Sequence, residues 1–501
     1  MSRTTRRDFL KTAAAGVALG VAGGGSLAIA IPRRAAGRVL GANDTIRIAV
    51  VGIHGRGSSH ISEFARMKGV QVAYLVDPDS RLFAARTKDV ERLGKNKPQC
   101  AQDLRKVLED QSLDAISVAT CNHWHSLATI WACQAGKDVY VEKPCSHNVF
   151  EGRKCVEAAR KYGRIVQHGT QSRSSRRWAQ TVAAVKSGKY GKLLVAKAYA
   201  SKVRWSIGFK KPTDPPKEFN FDLWLGPAPK QRYHENIVHY NWHWFWDFGN
   251  GEIGNQGVHQ MDIARWGLPE VKEPFTIISM GCRYVDTPDF RDQGQTPNMQ
   301  LAVFDYGGTL VVFEVRGLNG KKGPGGKEFK PQVDDEFYLE EGAIKGGKFY
   351  PKGKDKPEPL PELPLCIRPP VQPQEGIDAH FLNFIDCVRS RKQSDLNAEI
   401  QEGHLSAAMC HLANISYRLG HEVPFSEKPT ALGDNEHVLA SVKAIEDQLI
   451  GALGMDLKKF KYTLGTKVKF DPKAEKFIDN PAADKLLTRK PRPPFSVPKT
   501  V

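Results

Sequence analysis

No Cys-x-x-Cys pair occurs among the nine cysteines, and their number is odd. That argues against a disulfide framework and against a zinc site built on paired thiolates; buried thiols and no metal are expected. No apolar run is long enough for a convincing bilayer span. The best one, residues 12–31, is broken by Gly16, Gly20, Gly23, Gly24 and Gly25. There is no internal repeat. A nucleic-acid motif is missing too, although the formal charge is +18. The positive charges are scattered, and their densest group (Lys321, Lys322, Lys327, Lys330) sits in a glycine-rich loop. The charge therefore reads as solubility, with no nucleic-acid partner.

What is present begins with Thr5-Arg6-Arg7-Asp8-Phe9-Leu10-Lys11, followed by the small-residue run and then Pro32, Arg33 and Arg34. A positive segment, a short apolar segment and small residues read as a twin-arginine export signal over residues 1–41, cleaved between Ala30 and Ala42, with an uncleaved anchor as the alternative. The expected partner is the twin-arginine translocase and the expected location periplasmic or otherwise exported. That route carries folded protein, which suits a cofactor loaded before export. Residues before Ala42 carry a net +6, leaving +12 on a remainder long enough for two or three domains.

Residues 44–168 read as a nucleotide-binding domain. Arg47-Ile48-Ala49-Val50-Val51-Gly52 is a continuous apolar run, as in a strand buried on both faces. The loop Gly52-Ile53-His54-Gly55-Arg56-Gly57 matches the dinucleotide fingerprint at its first and last glycines; His54 replaces the middle one and Gly55 is shifted by one. A second apolar run ends at Asp77, twenty residues beyond Gly57, where an acid takes the ribose hydroxyls. Such an acid favours NAD and repels the 2′-phosphate of NADP, although Arg81 nearby could soften the preference. Three further apolar runs, 113–120, 138–142 and 163–168, alternate with helical segments, which predicts a doubly wound parallel sheet. Thr120, Asn122 and His125 follow one of these strands. Glu142, Lys143 and Pro144 follow another, so all six point at the cofactor cleft.

Beyond residue 169 long strands occur without intervening helices, as in a large, mainly antiparallel sheet. Residues 169–430 are expected to form an α+β domain for substrate binding and oligomerisation, and 431–501 a C-terminal helix and a peripheral extended tail. Aromatic residues crowd 241–248. His243 and Trp246 are candidates to face a sugar, with a packed aromatic cluster as the alternative. Read as one helix, residues 254–266 place Asn255 and His259 one turn apart with Asp262 following, and His259 could move protons.

These stretches together resemble the glucose–fructose oxidoreductase / inositol dehydrogenase / rhizopine catabolism (Gfo/Idh/MocA) family. The resemblance is carried by residues 52–57, by Val118-Ala119-Thr120-x-Asn122-His123-x-His125, by Ala135-Gly136-Lys137-Asp138-Val139 leading into Glu142-Lys143-Pro144, and by the His259 stretch; it covers residues 46–419. It implies a Rossmann domain with an open-faced second sheet that pairs subunits in a dimer or tetramer. It also implies catalysis by Lys143 and, from an Asp-x-x-x-His-x-x-Asp pattern, by His259, with Asp262 as the later acid. Asn255 stands where many members have Asp, which weakens the support for His259 as a base. The implied activity is NAD-dependent hydride transfer at a sugar, polyol or glycoside carbon, with Lys143 or His259 taking the hydroxyl proton. Asn255, Asp262 and Arg173 would fix neighbouring hydroxyls. A redox-neutral glycosidase and a non-catalytic sugar-binding protein are the rivals.

Overall fold

The computed structural model describes residues 44–285, 291–427 and 429–501. The twin-arginine stretch and the expected cleavage region up to Ala42 lie outside the described residues.

The first sheet holds six parallel strands: β1 (Ile46–Val51), β2 (Val70–Val76), β3 (Gln99–Ala101), β4 (Ala115–Val118), β5 (Asp138–Val141) and β6 (Val166–His168). Their order is β3-β2-β1-β4-β5-β6. The order reverses between β1 and β4, and a crevice opens there beyond the carboxyl ends of the strands. Helices α1 (Gly55–Arg66), α2 (Phe83–Gly94), α3 (Leu104–Leu108), α4 (Asn122–Gln134) and α5 (Val149–Tyr162) supply the crossovers. Five of the strands are those expected. The sixth, β3, is three residues long and more than half exposed, so it has no apolar run to betray it.

The second sheet has twelve strands and is antiparallel except where β7 (Leu193–Ser201) pairs with β10 (Leu310–Arg316). Its centre runs β11 (Gln332–Leu339), β7, β10, β9 (Met299–Asp305), β8 (Phe275–Cys282). Helix α6 (Arg176–Lys186) precedes β7, and α7 (Phe221–Leu225) lies within the long connection after it. The stretch expected as one helix is two, α8 (Gly251–Asn255) and α9 (Gly257–Gly267). A side chain at Gly257 would meet the Phe313 ring at 2.8 Å, so the close approach of helix to sheet requires a glycine at this point.

Helix α10 (Ala379–Ser390) returns to the first domain, where Phe381 stacks on Tyr140 at 4.5 Å and packs with Phe64. Helix α11 (Ile400–Arg418) packs on α5, α9 and one face of the second sheet. The other face, expected to stand open, is covered at its centre by α12 (Glu436–Leu453): Val438, Val442, Ile445 and Leu449 bury against Ile278, Leu301, Val303 and Val312. The chain beyond α12, expected to be an extended peripheral tail, is tied to both domains. Residues Lys461–Leu464 and Val468–Asp471 pair with β8 as further strands. Beyond them Arg489 forms an ion pair with buried Glu151 at 2.6 Å, and Phe495 packs edge-on to Trp124. Strands this short carry too little periodicity to be read from sequence.

Candidate active site

A cleft of about 500 Å3 lies at the β1/β4 reversal. It is lined by the glycine loop, Asp77, Thr120, Asn122, His125, Glu142 and Lys143 on the nucleotide-domain side. His239, Trp242, His243, Asn255 and His259 line it from the other domain.

Steric demands explain the loop. Gly52 has φ +81°, and a Cβ there would lie 2.7 Å from the Ala119 backbone. A Cβ at Gly57 would lie 1.8 Å from the Gly52 carbonyl. The first and last fingerprint glycines are therefore obligatory, whereas Gly55 faces open space. His54 caps α1 by position, without a side-chain bond to the helix. Asp77 is buried; its two oxygens accept the Ile53 and Asp79 backbone N–H groups, each at 2.9 Å. Burial outweighs those bonds and pushes its carboxyl up to about 6. Arg81 is held on Asp79 by two bonds of 2.8 and 2.6 Å, so its charge is already matched.

At the far side of the loop, Glu142 accepts hydrogen bonds from Arg56 Nε at 2.7 Å and His60 Nε2 at 3.1 Å. Burial alone would raise its pKa, but Arg56 and His60 hold the carboxyl well below its usual range. His125 lies between the Thr120 and Pro144 carbonyls, at 2.9 and 2.6 Å, and ties the two strand ends together. The Asn122 side-chain oxygen is buried without a partner among the described residues.

Lys143 Nζ donates to the Asn255 backbone oxygen at 2.9 Å and to its Oδ1 at 3.3 Å. Burial lowers the lysine's pKa against the opposing pull of Glu142. Asn255 Nδ2 in turn donates to Glu252 Oε2 at 3.1 Å, and Glu252 pairs with Arg204 at 2.6 Å. Glu252, absent from the expected site residues, lies three residues before Asn255 in α8 and so sits one helical turn behind it. The His259 ring nitrogens have no protein hydrogen-bond partner among the described residues. Burial, with the Lys143 charge adding to it, brings its pKa down to about 3. His243 Nδ1 meets the Tyr240 carbonyl at 2.5 Å and its ring stacks on Trp242 at 3.6 Å, leaving Nε2 for the cleft.

Three expected substrate contacts are not brought here. Trp246 points toward α11, under the Arg418 guanidinium and beside Tyr417. Asp262 and Arg173 satisfy each other at 2.8 and 3.0 Å in a buried pair that Ser406 completes at 2.6 Å. Two charges taken out of water must pair, and this pair leaves neither for a ligand.

The donors and the space fit a dinucleotide: two obligatory glycines at a helix N-terminus, a buried acid after β2, and an unpartnered Asn122 oxygen. The family model "Oxidoreductase family, NAD-binding Rossmann fold" (GFO_IDH_MocA) matches residues 46–170, and its "C-terminal alpha/beta domain" counterpart matches residues 185–283. The two models are matched in chain order, one on each of the two domains described above. Its first domain is an NAD-binding Rossmann domain. A "Glycosyl hydrolase family 109 protein" of Shewanella pealeana is 27% identical over 219 residues, 41% of this chain and 48% of that protein. The match thus spans about half the length of that curated relative. Two solved structures share the fold. The WlbA dehydrogenase of Bordetella pertussis, in complex with NADH and UDP-GlcNAcA, is 16% identical with a TM-score of 0.50, over 73% of this chain and 94% of that one. The aldose-aldose oxidoreductase of Caulobacter crescentus, complexed with glycerol, is 16% identical with a TM-score of 0.52, over 74% and 97%.

Proposed function

We propose that this protein is an NAD-dependent oxidoreductase acting on a CH–OH carbon of a sugar, polyol or glycoside. The observation that carries the reading is Lys143, at the end of β5, held by Asn255 of the second domain in a cleft that also presents the His259 ring. Residues 44–168 serve the nucleotide and 169–430 the substrate. Gly52, Gly57, Asp77, Thr120 and Asn122 hold the cofactor, and Asp77 selects NAD. When bound, the nicotinamide supplies the redox capacity by exchanging a hydride with the substrate carbon.

The chain's own groups do the proton chemistry. Lys143, its pKa lowered by burial, takes the substrate hydroxyl proton as a neutral amine and returns it in the reverse direction. Asn255 fixes the amine through two acceptors, so it approaches the hydroxyl in a preset direction. His259, kept neutral, hydrogen-bonds the same or the adjacent hydroxyl. His243 Nε2 and the Trp242 face complete the sugar-binding wall. Purified protein mixed with NAD and a panel of sugars and glycosides should form NADH with at least one of them. Absence of nucleotide both in the isolated protein and in binding assays would defeat the reading.

The Shewanella relative favours a second reading, a redox-neutral glycosidase that oxidises a hydroxyl transiently and returns the hydride after losing the aglycone. Aglycone release with no net NADH would select it. Export through the twin-arginine translocase to the periplasm belongs to the same proposal and rests on residues 5–11. Replacing Arg6 and Arg7 by Lys should retain the protein in the cytoplasm. A homo-oligomer is proposed as well, although α12 covers the centre of the second sheet. Light scattering of the purified protein tests it.

A further inference from the structure

The long connection between β7 and α8 does more than wall the substrate end. It also runs along the rim of the nucleotide domain and grips it at two places. Near the loop after β2, Asn220 N–H donates to the Pro78 carbonyl at 2.9 Å and Ser80 N–H to the Glu218 carbonyl at 3.1 Å. Gln102 Nε2 bridges the same two carbonyls at 2.7 and 3.0 Å. At the glycine loop, the His239 imidazole lies flat on that of His54, with centroids 4.5 Å apart and planes within 8°. His239 Nε2 meets Asp79 Oδ2 at 3.1 Å. Both rings line the cleft.

We infer that His239 is a dinucleotide-binding residue supplied by the second domain, and that the His54–His239 stack latches this strap over the cofactor. His54 occupies the fingerprint position at which a glycine leaves bare backbone. Here it puts an imidazole at the N-terminus of α1, where backbone N–H groups and ring N–H groups both suit phosphate oxygens. His239, steadied by Asp79, closes over it from outside. The strap must lift, separating the rings, before a nucleotide leaves, so the latch sets the residence time of the cofactor. The inference rests on the NAD-dependent reading above.

The test is the release of NADH from the full protein, followed by the loss of its bound fluorescence on a chase with excess NAD. Neither imidazole is in the core, so His54→Gly and His239→Ala should fold as the parent does; their thermal midpoints check this. Each is expected to speed release about 3- to 10-fold, the range for one aromatic pair. The double variant should release no faster than the faster single one, since the second change removes a latch already open. Parental release rates in both single variants, or effects that multiply in the double variant, would overturn the latch while leaving NAD binding intact. A parent protein that binds no NADH would overturn both readings.

Discussion

Replacing Asn255 by Asp puts a carboxylate 3.3 Å from Lys143 Nζ. At an effective dielectric of about 20, a unit pair at that distance attracts by about 5 kcal/mol before compensation. Glu252, 3.1 Å from the Asn255 amide, offsets this by repelling the new charge and losing a hydrogen bond. A rise of about 1–2 pH units in the Lys143 pKa is a reasonable remainder, within the range for a carboxylate in contact with a cation. If neutral Lys143 takes the hydroxyl proton, the alkaline rise of kcat/KM moves up by the same interval. The rate at neutral pH then falls about 10- to 100-fold, since each unit is tenfold in the neutral fraction. The assay is the pH dependence of kcat/KM for oxidation, with the parent and N255D compared at saturating NAD. The double variant N255D/E252Q removes the repulsion and should move the limb further up. A limb that stays in place in both variants would refute Lys143 as the proton acceptor, and the base would have to be sought at His259.

Lys143→Ala should lower kcat by about 10²- to 10⁴-fold while NADH binding changes little, as measured by steady-state kinetics and fluorescence titration. Asp77, raised to about 6, accepts ribose donors best when ionised. NADH affinity should therefore be full above that pH and weaken by up to about tenfold per unit below it, and D77N should flatten the profile read by titration. Trp242→Ala should raise KM for the sugar, whereas Trp246→Ala should leave it unchanged, because only Trp242 lines the cleft. Arg173→Ala leaves Asp262 charged and buried. Urea denaturation should show about 3–5 kcal/mol lost, and a small loss would mean the site admits water.

The sequence spoke clearly where one local requirement sufficed. The apolar run of β1, the two sterically forced glycines, the acid after β2 and the lysine after β5 each follow from a few neighbouring residues. It was silent where a partner lies about a hundred residues away. Asp262 looked like a substrate ligand because nothing nearby announces Arg173. Asn255 looked like a weakened catalytic group, yet it holds Lys143, and the carboxylate sits at Glu252 instead. Trp246 was misjudged because irregular backbone gives no period from which to read a direction. The open second sheet was implied by the family resemblance alone; α12, which covers it, comes from more than a hundred residues downstream of the strands it buries.

Helix α10 has a consequence for how the molecule is made. Its Phe381 and Phe384 fill the core beside Tyr140 and Phe64, and Arg391, just past its end, pairs with Asp138 at the start of β5. The nucleotide-binding sheet therefore closes one of its faces with chain that follows it by more than two hundred residues. A fragment cut at the end of β6 would keep α1 and α2 on that face but leave the part beside Tyr140 and Phe64 bare and prone to aggregate. Contacts of such sequence separation are slow to form, so the first domain should reach its native state only after the second sheet has been traversed. Both halves should then melt in one transition rather than two.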